Sequence, residues 1–304
     1  MPQFMRYDIK HTTSYRYEEN ISSCVMSLCM QPRNHRGQSV SSFLIHTTPI
    51  TSFSVEFDAF GNRHHFFDID HPHDQLDITV SAVIERALRD PPNESFSLPI
   101  RSWTELEALK NDWDMWEFLR STALTTVSES LNDWLLTVPI SENDDPYTRL
   151  KRLTQHMFKT FEYQPGSTHV DSTIDHFLEI QAGVCQDYAH LMIAVARFWG
   201  IPARYVSGYL YDREEQTLRA ANATHAWVEC WLPQLGWMPF DPTNAKVDDE
   251  NLITVAIGRD YRDVAPSRGI TFGGGRSELS VGVDVKRQWT ESNPQASDHQ
   301  TTQQ

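Results

Sequence analysis

The chain has 304 residues, 39% hydrophobic and 22% charged, an ordinary globular composition for one large domain or two modest ones. A formal net charge of −15 makes its surface repel nucleic acid and anionic membranes, so neither is expected as a partner. No apolar run approaches the roughly 20 residues of a membrane span, and the start "MPQFMRYDIKHTTSYRY" has no signal-peptide core; four cysteines without a CxxC pair form neither a disulfide framework nor a zinc signature and fit a reducing cytoplasm.

Residues 1–88 read as strands. "MRYDIKHTTSYRY", "SSFLIHTTP", "TSFSVEFDAFGNRHHFFDI" and "LDITVSAVIERAL" alternate and are rich in β-branched and aromatic residues. Gly61-Asn62 in "DAFGN" marks a hairpin turn. The expectation is a small antiparallel β-sandwich or barrel. The Pro-rich stretch "RDPPNESFSLP" places a linker at residues 89–100. Helical periodicity follows, with Leu106, Leu109, Trp113 and Trp116 in one stripe and Leu150, Leu153, Met157 and Phe161 in another. Core packing explains such stripes better than a ligand box. After Cys185, Tyr188, Met192, Val195 and Trp199 share one helical face, with Ala189, Ile193 and Ala196 beside them. That pattern predicts a buried helix, stopped by Gly200 and Pro202. Strand-like runs "ARYVSGYL", "THAWVECWL" and "GWMPFDPT" come next. Residues 101–284 therefore read as an α+β core, helices first and an antiparallel sheet after them. Within it "GRDYRDVAPSRGITFGGG" reads as a Gly-rich loop, and "GVDVKRQW" as a last strand running out of it. Residues 285–304 read as a polar, disordered tail.

Cys185 stands where a helix N-terminus favours a thiolate and where free N–H groups can hold an oxyanion. Position alone proves little, since buried structural cysteine is common and inert. Further along, alternation groups His225, Trp227, Glu229 and Trp231 on one strand face. His225 is either one of 13 ordinary histidines or a general base for Cys185. Asp241, between Phe240 and Pro242, is either a turn former or the group that holds the imidazole in its working tautomer. A helix and two neighbouring strands can bring these three side chains together.

"GVCQDYAHLM" followed by "ATHAWVECWLPQLGWMPFDPTN" resembles the core of the transglutaminase-like superfamily. The family's Cys, His and Asp match Cys185, His225 and Asp241 in that order. "FEYQPGSTHVDSTIDHFL" and "GRDYRDVAPSRG" fit its bacterial branch, and the first 88 residues are similar to the β-rich domain often found before that core. Tyr188 stands where the family often has phenylalanine. The resemblance implies a papain-like acyl-transfer fold and site, in which Cys185 attacks an amide carbonyl and His225, held by Asp241, moves the proton. Water would then resolve the thioester by hydrolysis, or an amine by cross-linking. Hydrolysis of peptide or isopeptide amides is the leading expectation. A transglutaminase using amine acceptors and a non-catalytic binding module are the alternatives.

The backbone N–H of Cys185 is one oxyanion candidate and Tyr163, in "FEYQPG", another, although Tyr163 equally suits packing; Gln186, adjacent on the helix, points elsewhere. Trp227, Trp231, Trp237 and Tyr209 are candidates to line a substrate groove, or to fill the core as strand aromatics commonly do. His71 and His73 in "DIDHPHDQLD" lack a closed ligand set, and "VDDEN" at 247–251 lacks EF-hand spacing. No cofactor or metal is expected. A protein or peptide substrate is expected as partner; nothing in the first domain names another, and the oligomeric state stays open.

Overall fold

A computed structural model of the chain describes residues 4–87, 92–93, 95–212, 219 and 224–290. The first sheet is built on β1 (Phe4–Leu28), a strand of 25 residues. It is joined by β2 (Gln38–Thr48), β3 (Ser54–Phe57), β4 (Arg63–Ile69) and β5 (His73–Ala87). The turn between β3 and β4 is the one read from "DAFGN": Gly61 N–H donates to Asp58 O, and Gly61 has the positive φ, 74°, that such a turn requires. The helical part follows with α1 (Ser102–Ala108), α2 (Trp113–Leu119), α3 (Glu129–Leu135) and α4 (Pro146–Thr160). Then come β6 (Glu162–Tyr163), α5 (Ile174–Ile180), β7 (Ala182–Gly183) and α6 (Cys185–Phe198). The second sheet holds β8 (Ala203–Leu210), β9 (Thr224–Leu232), β10 (Gly236–Asp241), β11 (Lys246–Val247) and β12 (Leu252–Gly258), in the order β11-β10-β9-β8-β12. The described residues end with α7 (Tyr261–Val264), β13 (Ser267–Gly273) and β14 (Ser277–Thr290). No helix among the described residues is long and apolar enough to cross a membrane.

The helices are local consequences of sequence. α4 starts on Asp145, whose carboxylate accepts from the N–H groups of Tyr147 and Thr148, with Pro146 in the first turn. Its apolar stripe, Leu150, Leu153 and Met157, is fully buried. α6 is apolar nearly all round and lies inside the core, with Tyr188, Met192 and Val195 at 0% exposure. Its end is fixed by Arg197, whose guanidinium donates to the carbonyls of Phe118, Arg120, Ala203 and Arg259. The first stripe behaves differently. Leu106 is buried, but the helix breaks at residues 109–112 and leaves Trp113 87% exposed, so that stripe is not continuous core.

The first sheet is one seven-stranded antiparallel sheet curled around its own apolar cluster of Ile21, Met26, Leu28, Phe67, Leu76 and Val80. Its other apolar residues, Met5, Tyr7, Ile9 and Ile84, join the helices and the second sheet in a shared core. A buried ion pair strengthens this junction. Glu229 on β9 accepts from Arg204 at 2.6 Å and from His35 Nε2 at 2.7 Å. The Arg204 guanidinium and then the His35 hydrogen bond hold its carboxyl down at about 2 although burial alone would raise it.

The last two strands return to where the chain began. β13 pairs with Ile21–Leu28 of β1 and β14 with Phe4–Tyr17, all antiparallel. Three glycines, Gly273, Gly274 and Gly275, all at positive φ, join the two strands opposite the irregularity in β1. The segment expected to be a Gly-rich loop thus contains α7 and β13, and residues 285–290, expected in a disordered tail, are the end of β14. β13 and β14 are made strands by the backbone partners that β1 offers. Residues 291–304 of that tail lie outside the described residues, as do 89–91 and 94 of the expected linker. The described part of that linker is no free tether: Leu98 is buried and Phe96 packs edge-on to Tyr147 at 5.2 Å.

Candidate active site

α5 ends at Gln181, left-handed at φ 52°, and the chain turns through β7 into α6. β7 pairs in parallel with β6, setting Tyr163 opposite Gly183. Only glycine fits at 183, because a Cβ there would meet Asp187 Oδ2 and the Phe177 ring at 2.7 Å. Asp187 sits in the first turn of α6 and folds back to accept the Val184 N–H at 2.8 Å and the Thr168 hydroxyl at 2.7 Å. Burial raises its carboxyl, and these hydrogen bonds oppose the rise. Cys185 is thereby held as the first helical residue, with its N–H among the unpaired donors of the helix start. It is the half-buried thiol of the four; Cys24, Cys29 and Cys230 are buried, and burial pushes all three upward, Cys29 to about 12.

β9 carries His225 and β10 ends at Asp241. His225 Nε2 lies 2.8 Å from Asp241 Oδ2, and both side chains are completely buried. Asp241 also accepts the Thr243 N–H at 3.0 Å and Asn244 Nδ2 at 2.8 Å, so its carboxylate is oriented from three sides. Burial alone would lower the His225 pKa; Asp241 and then Cys185 outweigh it and raise it to about 10. Nε2 faces Asp241, so the free ring nitrogen is Nδ1, which is buried and has no hydrogen-bond partner among the described residues.

Cys185, His225 and Tyr163 line one cleft of about 320 Å³. The Tyr163 hydroxyl is pushed up, first by burial and then by the neighbouring Cys185, and so stays protonated and able to donate. Gln186 does point elsewhere, its amide donating to Val170 O at 3.0 Å, although it reaches the cleft rim. The sequence candidates for a groove are not in this cleft. Trp227 is 1% exposed because β9 is an inner strand covered on both faces; its ring packs among Val206, Leu210, Leu252 and Ile257. Trp237 is held under Arg204 at 4.0 Å and against Phe118 at 5.1 Å. Tyr209, 1% exposed, turns its hydroxyl to His11 Nδ1 at 3.0 Å.

The opposite wall comes from the first sheet: His11 and Thr13 of β1, Leu279 and Val281 of β14. His11 is buried, with Nδ1 on Tyr209 and Nε2 3.2 Å from the Thr13 hydroxyl. Burial lowers its pKa to about 4, so it is a neutral hydrogen-bonding group. Period-2 reading of "MRYDIKHTTSY" places Tyr7, Ile9, His11 and Thr13 on one face, and a histidine on that apolar face was the available signal. Among the described residues no group of three or more His, Cys, Asp or Glu is placed to hold a metal ion, His71 and His73 included.

Residues 136–242 match the Transglutaminase-like superfamily, and residues 7–85 the Bacterial transglutaminase-like N-terminal region. An uncharacterised protein of Mycobacterium leprae is 34% identical over 284 residues, 93% of this chain and 99% of that protein. One from Mycobacterium tuberculosis is 32% identical over 302 residues, 92% of each chain. A protein-glutamine gamma-glutamyltransferase of Pseudomonas aeruginosa is 37% identical over 98 residues, 31% of this chain and 14% of that protein. The crystal structure of a candidate cysteine protease from Cytophaga hutchinsonii shares the fold, with TM-score 0.73 at 20% identity over 95% of this chain and 92% of that one. With the match running through both the β-rich domain and the core, the chain belongs to the transglutaminase-like superfamily.

Proposed function

We propose that the chain is a cysteine-dependent acyl-transfer enzyme that hydrolyses peptide or isopeptide amides, with Cys185, His225 and Asp241 as its catalytic set. The supporting observation is the buried 2.8 Å contact between His225 Nε2 and Asp241, which leaves Nδ1 for the thiol of Cys185 in a shared cleft. His225 takes the thiol proton, and the sulfur forms a bond to the amide carbon. The oxyanion is met by the Cys185 N–H, with the protonated Tyr163 hydroxyl as second donor. The C–N bond breaks as the imidazolium returns the proton to the leaving amine. Water, deprotonated by His225, then attacks the thioester and releases the acid and the free thiol.

Similarity to the Pseudomonas aeruginosa gamma-glutamyltransferase supports a second reading, in which an amine replaces water. A glutamine peptide assay that follows both ammonia release and incorporation of a fluorescent amine separates the two. Ammonia without incorporation at modest amine concentration supports hydrolysis; dominant incorporation supports transfer. A chain that turns over no peptide, and whose Cys185 reacts with iodoacetamide no faster than the buried Cys24 and Cys29, is a binding module, and the proposal fails.

A further inference from the structure

β14 is an edge strand beside the cleft. It pairs with β1 on one side, and among the described residues no strand pairs with its other side. Residues 277–282 are exposed, Leu279 at 55% and Val281 at 48%. Leu279 lies opposite Tyr15, Val281 opposite Thr13 and Val283 opposite His11. Directly opposed residues share a sheet face, so Leu279 and Val281 stand on the face that carries Thr13 and His11 into the cleft with Cys185 and His225. An edge strand presents a row of unpaired N–H and C=O groups, and natural edges are normally blunted by charge, proline or cover. Here the edge next to the thiol carries no charge from 279 to 282, Leu-Ser-Val-Gly, and these residues are exposed with no strand among the described residues paired to their free side.

We propose that residues 279–282 are the acyl-donor subsite: the substrate is an extended polypeptide that adds as a strand to the open edge of β14. Its main chain pairs with β14, and an apolar side chain next to the reacting amide rests on Leu279 and Val281. Strand addition joins main-chain affinity to side-chain selection at alternate positions, and the apolar pair lies in the same cleft as the sulfur that would attack. The inference rests on the acyl-transfer reading and narrows its substrate to unfolded or loop polypeptide with an apolar neighbour.

The test uses the full chain with Cys185→Ala, so that binding is read without turnover. Fluorescence anisotropy is measured with three labelled octapeptides: one with valine on either side of a central glutamine, its serine counterpart, and the valine peptide N-methylated at alternate residues. Half-covering one branched aliphatic side chain corresponds to about tenfold in affinity. The valine peptide is therefore expected to bind about tenfold tighter than either other peptide, and Leu279→Ser or Val281→Ser to remove that preference. Circular dichroism shows that both exposed-site variants are folded. Equal affinity for the three peptides, binding unaffected by both substitutions, or no binding at all overturns the proposal. So does a dimer in sedimentation that Val281→Ser dissociates, since a second copy would then occupy the edge. Iodoacetamide labelling of the unsubstituted chain reports separately on the thiol: failure there sinks the acyl-transfer reading, whereas failure of peptide binding with a reactive Cys185 sinks only the subsite.

Discussion

Replacing Asp241 by asparagine keeps the shape of the site and removes one buried charge. Without that charge, burial dominates the His225 ring. His11 and His190 show where burial leads: both are lowered to about 4. The rise of His225 from 6.5 to about 10 corresponds to roughly 5 kcal/mol in favour of the charged ring, at about 1.36 kcal/mol per pH unit. Asp241 is the larger of the two raising partners, so Asp241→Asn is expected to remove most of this, on the order of 4 kcal/mol. A ring that is neutral at pH 7 no longer stabilises the Cys185 thiolate, and alkylation by iodoacetamide should slow by roughly 10³. The assay is the second-order labelling rate of Cys185 from pH 5 to 9, mapped by mass spectrometry, with circular dichroism as the control for folding. A folded Asp241→Asn chain with the unsubstituted pH–rate profile would refute the argument that this carboxylate sets the charge on His225.

Three further outcomes are expected. Gly183→Ala drives a Cβ to 2.7 Å from Asp187 and Phe177 and should cost about 1–3 kcal/mol in urea unfolding while slowing Cys185 labelling; an unchanged midpoint would remove the steric account of that glycine. Glu229→Gln leaves Arg204 and His35 without their buried anion and should cost about 3–5 kcal/mol, whereas a loss below about 1 kcal/mol would show the junction to be held by apolar packing. His190, like His11, has its folded pKa lowered from 6.5 to about 4, so unfolding takes up a proton in that interval. Stability is then full above pH 6.5 and falls as pH drops towards 4, and His190→Gln should flatten the slope by up to one proton; identical slopes would refute the burial argument.

The three residues of the proposed set could be singled out in the sequence because each carries a local signal: a glycine and an apolar helix around Cys185, alternation around His225, a strand end at Asp241. What escaped were long-range pairings. Period-2 patterning marks "GVDVKRQW" as a strand but carries no address for its partner, so the return of β14 to β1 could not be read. The aromatic residues failed for a related reason. Alternation places Trp227 on the face of His225, but whether that face meets solvent or a covering layer depends on what the rest of the chain packs there. Tyr209 and Trp237 are likewise claimed by His11 and Arg204, partners distant or unmarked in sequence. The cleft wall was missed with them, because it belongs to the first sheet and the thiol to the core.

That β14 lies far along the chain from its partner β1 has a bearing on synthesis. A ribosome adding about 5–20 residues per second delivers β1 on the order of tens of seconds before residues 277–290. The helix bearing Cys185 and the strand bearing His225 emerge in between. A nascent chain therefore holds Cys185 and His225 before it holds the cleft wall that Leu279 and Val281 supply. The cleft is closed on that side only by β14, and until it emerges the vacant side of β1 is a template that a wrong segment could occupy. The order of these elements along the chain makes the cleft complete only after β14 has been synthesised.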